Sequence, residues 1–277
     1  ESGPIAIFDP QGLVNAFAEV HDCSRLQVNG YYIQDVEMMG TKVFGQEAQA
    51  ITKLSPSMAD TIFVVTFDAA RIIENISHII GSNAKIFSLD NMRLDDAMLT
   101  NRRHYLDPIN FATNFAFFRD TGTKHTRLVS ANYWAGYGAK NIKIWCRLFG
   151  SKGDVLADWE HSLDDKVSTI VIDSEEIRRR FELGDFTGQL FIHVVGAAGH
   201  DVVKYALDTY GNDETVLSCT HDANAWPADL YGGLPAPRVG EKVVLWVQNS
   251  HPCPIKKGAI GLNRMGDKDI VWLDKEI

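Results

Sequence analysis

The sequence predicts a mainly β protein: an antiparallel β-sandwich-like body over residues 109–277, preceded by a smaller mixed α/β portion over 1–108. Three observations point there. After Pro108 the chain carries about eight short apolar segments, several with the two-residue alternation of half-buried strands. Those segments are joined by Gly, Asp, Asn and Pro turns, whereas an α/β barrel needs repeated long helices. Before residue 108 a single strand–helix unit, at 61–81, stands out from mixed sequence.

In chain order, residues 13–18 suit a short helix or a strand, and 26–33 suit a strand. Asn29-Gly30 in that stretch supplies two residues that tolerate positive φ, as a tight hairpin turn demands. Thr61 to Phe67 is rich in β-branched and aromatic side chains and reads as a strand. Asp68 is placed to cap a following helix, whose stripe is Ala69, Ile72, Ile73, Ile76 and Ile80, with Gly81 as its stop. So many isoleucines carry little helix preference, so this helix depends on packing against its strand. His78 lies toward the solvent side. Residues 84–89 suggest another strand, and the polar run 90–108 is the expected boundary.

Beyond it, 111–119 and 126–134 read as strands joined by Asp120-Thr121-Gly122-Thr123. The strongest hairpin spans 141–149 and 155–161. In its first arm Ile142, Ile144, Cys146 and Leu148 share one face, and Lys143, Trp145, Arg147 and Phe149 share the other. Cys146 is therefore a small buried hydrophobe; Trp145 and Trp159 either stand across from one another or mark a partly covered sheet face. After a strand at 167–172, Asp173 and Glu176 have the capping-box spacing, and Ile177 with Phe181 anchors a short helix crossing one open end of the sheets. Strands at 188–195, 202–209, 242–247 and 269–273 complete the body.

A net charge of −9 argues against a nucleic-acid surface, where basic groups replace phosphate counterions. The one basic run, Arg178-Arg179-Arg180, is flanked by Glu175, Glu176 and Glu182, which a mixed-charge helix explains. No apolar run reaches the roughly eighteen residues of a membrane span. No signal segment is recognisable, although the chain begins at Glu1 rather than Met; a soluble protein is expected, of open compartment. Phosphate-binding glycine loops, nucleophile elbows, His-Glu-x-x-His helices and CxxC pairs are absent from the sequence.

The most reactive sequence lies between 187 and 258. Cys219-x-His221 and His251-x-Cys253 each place two soft ligands one strand period apart, and together they would close a zinc site of structural type. A Cys219–Cys253 disulfide and unrelated loop positions are the competing readings. His200-Asp201 and His221-Asp222 offer imidazole–carboxylate chemistry, with His251 in reach of a metal-dependent hydrolase, but Asp at turns commonly bonds its own backbone. His193, inside an apolar strand, reads as a core histidine with one hydrogen bond. Trp226, Tyr231 and Asn224, with Trp246, offer an aromatic and polar surface for a glycan or protein partner. The function expected first is a non-catalytic ligand-binding or assembly module; a metal-dependent hydrolase and a structural subunit, homo-oligomeric through a sheet edge, are the alternatives.

Overall fold

The computed structural model describes residues 3–57, 59–213, 217–222, 237–241, 247, 249, 253–263 and 267–277. Strand outweighs helix, 37% to 18%, which makes the protein mainly β. The chain divides into two compact units, Glu1–Arg93 with Leu230–Ile277, and Leu94–Asp229. Of the expected strand at 242–247, residues 242–246 lie outside the described residues.

The first unit is built on β1 (Ile5–Asp9), α1 (Val14–Val20), β2 (Val28–Ile33), β3 (Lys42–Val43), β4 (Gln46–Ala50), β5 (Thr61–Val64), α2 (Ala70–Ile76) and β6 (Lys85–Ser88). The strand order is β3-β4-β2-β1-β5-β6, parallel except for the β3–β4 hairpin. Every residue of β1 is buried, as a central parallel strand covered on both faces requires. Ile7 packs on one face with Val14 and Phe17 of α1, while Ala6 and Phe8 pack on the other with Ile72, Ile73 and Ile76 of α2. The mixed α/β portion is thus a small doubly wound sheet, with its topological switch between β1 and β5.

Two local expectations fail here for identifiable reasons. Asn29-Gly30 makes no hairpin, because β2 pairs in parallel with β1 and β4. Gly30 is instead needed where a Cβ would lie 2.7 Å from the Tyr32 ring. Asp68 does not cap α2; it takes a positive φ of 53°, and the cap is long-range. Both Asp90 oxygens accept from backbone at that helix start, Asp68 N at 2.8 Å and Ala69 N at 2.8 Å. The helix stops at Ile76 and tightens into a 3-10 turn at Ser77–Ile79, short of Gly81.

The second unit holds β7 (Thr113–Asp120), β8 (Lys124–Ala131), β9 (Lys143–Gly150), β10 (Val155–Ser162), β11 (Thr169–Asp173), α3 (Ser174–Arg180), β12 (Phe186–Val195), β13 (Tyr205–Gly211) and β14 (Leu217–Asp222). These strands pair antiparallel, and an isolated bridge from Thr113 to Val202 is parallel. They form the run β10-β9-β12-β7 and the run β8-β13-β14 with β11 on the other side of β8. The runs join at one residue pair, Asp120 with His125. Folding at that corner lets both runs bury their inner rows in one interior: Ala116, Phe118, Ile144, Cys146, Leu148, Leu190 and Ile192 from the first, Leu128, Ile170, Ile172, Tyr205 and Leu207 from the second. This is the expected antiparallel sandwich-like body, and the alternation read from 142–148 is its inner row. Trp145 and Trp159 do not face each other: Trp159 pairs with Cys146 and is buried, while Trp145 pairs with Glu160 on the outer face.

Asp173 caps α3 as expected, accepting from Glu175 N at 2.9 Å. Ile177 and Phe181 close the interior at that end, with Phe181 5.5 Å from Trp159. Near the other end of the strands, Trp134 is fully buried and donates Nε1–H to the His200 carbonyl at 3.0 Å. Residues 94–108, placed by sequence with the N-terminal portion, bond to β12 and its exit: His193 donates to Met98 O at 2.7 Å and Gly196 N to Thr100 Oγ1 at 2.9 Å. Two short strands of the first unit's C-terminal part, β15 (Gly261–Leu262) and β16 (Val271–Trp272), form a separate antiparallel pair.

Gly188 in β12 is the tightest point of the first run, since a Cβ there would overlap the Phe149 carbonyl of β9. Gly188→Ala is expected to lower unfolding free energy by about 1–3 kcal/mol, the usual cost of overpacking. A urea midpoint equal to that of the parent chain would contradict this packing.

Candidate functional sites

The residues singled out by sequence are only partly brought together. His200 ends in a turn, its Nε2 3.0 Å from the Tyr137 hydroxyl and its ring edge-on to Tyr133; Asp201 follows it, half-buried. Cys219 and His221 lie on β14 opposite Asp208 and Ala206, both exposed and one strand period apart. Asp222 pairs with Tyr205 at the end of the same strand. A hydrogen bond to Asp208, then burial and the same carboxylate's charge, raise the Cys219 thiol above its ordinary value, which disfavours the thiolate a metal would bind. Cys253 is a half-buried free thiol, as is Cys23; Cys146 is a buried free thiol and Cys219 an exposed one. Asn224, Trp226, Tyr231, Trp246 and His251 lie outside the described residues. Among the described residues, no group of three or more His, Cys, Asp or Glu is placed to hold a metal ion.

Cys146 is fully buried, and burial with the nearby Asp158 charge pushes its thiol up to about 12, leaving an inert hydrophobe. His193 is 2% exposed and carries its expected single hydrogen bond, to Met98 O.

Three arrangements were not visible in the sequence. At the switch point of the first unit, buried Asp9 ends β1 and accepts from Leu13 N at 2.9 Å, Val14 N at 3.1 Å and the Tyr31 hydroxyl at 3.3 Å. Burial, then the Asp9 charge and hydrogen bond, push Tyr31 up to about 12, so it remains a donor. A doubly wound sheet commonly binds phosphate on the amides that follow its first strand. Here a carboxylate of the chain already occupies those amides, and Asp90 occupies those at α2. The crevice is therefore not an open anion cradle. Arg93 neutralises its rim, pairing with Asp68 at 2.9 Å.

The second arrangement is the sandwich corner. Asp120 is fully buried and its two oxygens take three donors: His125 Nδ1 at 2.9 Å and Ser174 Oγ at 3.0 Å on Oδ2, and Arg178 Nη1 at 2.9 Å on Oδ1. Ser174 Oγ accepts in turn from Thr126 N at 2.9 Å. Serine and imidazole bind one carboxylate oxygen side by side, so the imidazole does not activate the hydroxyl. This geometry braces a corner and lacks the nucleophile–base contact of a hydrolytic triad. An open depression of about 630 Å³ adjoins it, lined by Thr121, Glu175, Arg178, Arg179, Glu182 and Asn212 among others.

The third is the outer face of β10-β9-β12-β7. Its cross-strand rows read Glu160–Trp145–His193–Thr113, Asp158–Arg147–Phe191–Phe115, and Phe149–Gln189–Phe117. Trp145, Phe149, Phe191, Phe115 and Phe117 each keep part of their surface exposed. Phe191 is the hub, 4.8 Å from Phe115 and 5.7 Å from Trp145. Arg147 lies 4.6 Å over Trp145, and both donate to Asp158, Trp145 Nε1 at 2.5 Å and Arg147 Nε at 3.0 Å. The outer row of the other run carries Val129, Ala206, Arg127 and Asp208, with the Tyr210 ring beneath Arg127. The hairpin alternation at 143–149 announced part of this face, but only β-sheet register adds Phe115, Phe117 and Phe191.

Burial, and to a smaller extent Lys143, hold His193 below its ordinary pKa of 6.5 despite the opposing Met98 hydrogen bond. The unfolded chain then binds a proton that the folded chain refuses, so this residue costs stability as pH falls below 6.5. His193→Gln retains an amide donor for Met98 and is expected to lose less stability than the parent between about pH 7.5 and about pH 5, followed by urea unfolding. Equal losses in the two proteins would refute the assignment. No protein-family model matches this chain, and no curated protein matches it.

Proposed function

We propose that the protein is a non-catalytic binding or assembly module that engages a glycan or protein partner through the outer face of β10-β9-β12-β7. The observation that carries this reading is the contiguous set of part-exposed rings around Phe191, rigid on strands and bordered by the Arg147–Asp158 pair. Aromatic anchors next to arginine are the side chains that dominate binding surfaces, because they offer area at little entropy cost. On the opposite outer row the Tyr210 ring is covered by Arg127, 4.8 Å away. The metal-dependent hydrolase reading draws no support from the described residues, since His200 is engaged by Tyr137 and no acid–base pair converges on a cleft with His221. Pairing through the β10 edge is disfavoured by the exposed Asp158, Glu160 and His161 along it, which act against addition of another strand.

Screening the chain against glycan and protein libraries tests the proposal. Trp145→Ala and Phe191→Ala are each expected to weaken the best partner by about tenfold or more, equivalent to ~1.4 kcal/mol. Far-UV circular dichroism should stay that of the parent. Unchanged affinity in both folded variants would sink the proposed surface.

A further inference from the structure

The hydrogen bonds of His125 fix its protonation state. Asn212 donates Nδ2–H to the Gly122 carbonyl at 2.7 Å, which turns its Oδ1 toward His125 Nε2, also at 2.7 Å. An amide oxygen cannot donate, so Nε2 must carry a proton. The other ring nitrogen, Nδ1, faces the Asp120 carboxylate at 2.9 Å, whose Oδ2 already receives the Ser174 hydroxyl. Both nitrogens therefore donate, and only the imidazolium has two N–H groups.

The surroundings accommodate that charge. From β7 the ring meets Asp120; from α3, Glu175, with Arg178 on the far oxygen of Asp120 and bound in turn to Asp185. From β13 the Tyr210 ring lies 5.2 Å away, its hydroxyl held by Asp173 beneath Arg127.

We propose that His125 is a proton-operated clasp: charged, it ties the β7–β8 turn and the end of β13 to the α3 corner, and neutral, it releases Asn212. A neutral ring keeps one N–H, which the Asp120 carboxylate retains as the stronger acceptor. Nε2 then presents a lone pair to Asn212 Oδ1, and flipping the amide would sacrifice its bond to Gly122. Burial opposes the charge, but hydrogen bonds to Asp120 and Asn212 and the Asp120 and Glu175 carboxylates outweigh it, placing the pKa above the usual 6.5. The clasp's contribution to stability is complete below 6.5 and is lost as pH rises through the folded-state value.

Side-chain 15N NMR of the whole chain, titrated from about pH 5 to about pH 9, reads both events. With His125 assigned through His125→Gln, the expected spectrum shows both ring nitrogens protonated at neutral pH and a midpoint above 6.5. The Asn212 amide should shift and lose exchange protection at the His125 midpoint. A neutral ring at about pH 6, or an Asn212 amide that stays unchanged through the transition, overturns the clasp. If His125→Gln does not fold, exposed Asn212→Asp supplies the assignment: a carboxylate facing Nε2 should raise the midpoint by about one unit, and an unmoved midpoint would overturn it equally.

Discussion

The carboxylate of Asp120 sits at the one residue pair that joins the two strand runs of the second unit, fully buried and bonded to His125, Ser174 and Arg178. A buried carboxylate without partners carries a penalty of several kcal/mol, so this corner is tolerated only because its donors are all in place. Those donors come from two elements: His125 from β8, and Ser174 and Arg178 from the first and fifth positions of α3. Setting them simultaneously fixes where β7 ends, how sharply the chain turns and which end of the interior α3 covers. The inner rows of the two runs can then share one apolar interior, and their alternation commits the remaining side chains of β9, β12 and β7 to the outer face. The aromatic surface is thus a consequence of register, and register is held at one end by this corner.

A related solution recurs in the first unit. Asp9 and Asp90 satisfy the backbone N–H groups that open α1 and α2, from a strand end and from 21 or 22 residues away. Each removes orphan donors from a short helix that has no local side-chain cap. The same carboxylates occupy backbone N–H groups that face the strand ends of this doubly wound sheet. Internal carboxylates here serve the fold first, while part-exposed rings gather on the outer face of β10-β9-β12-β7.

How much the sequence revealed follows from the range of the interactions involved. The hairpin at 141–161, the inner row from Ile142 to Leu148, the buried state of Cys146 and His193, and the Asp173 cap are all local patterns, and all appear in the structure. The Asn29-Gly30 hairpin was the wrong reading because a glycine demanded by a neighbouring Tyr32 ring looks the same as a turn glycine. Asp68 was misread because a helix start says which groups need a partner but not that Asp90 supplies it. The corner has no local sequence signature: Asp120, His125, Ser174, Arg178 and Asn212 span 93 positions and share no spacing. Likewise Phe115 and Phe191 meet only after β7 and β12 pair. The switch-point order could not be read at all, since strand neighbours in a parallel sheet are set by helix crossovers rather than by turns.

The second unit depends most heavily on coupling between Asp120 and His125, and a double-mutant cycle of Asp120→Asn and His125→Gln measures it. At about pH 6 the two substitutions should be non-additive in unfolding free energy by about 1–3 kcal/mol, with the coupling shrinking at alkaline pH as the imidazolium is lost. Additivity to within about 0.5 kcal/mol at both ends of that range would contradict the corner as the element that holds the two runs in register.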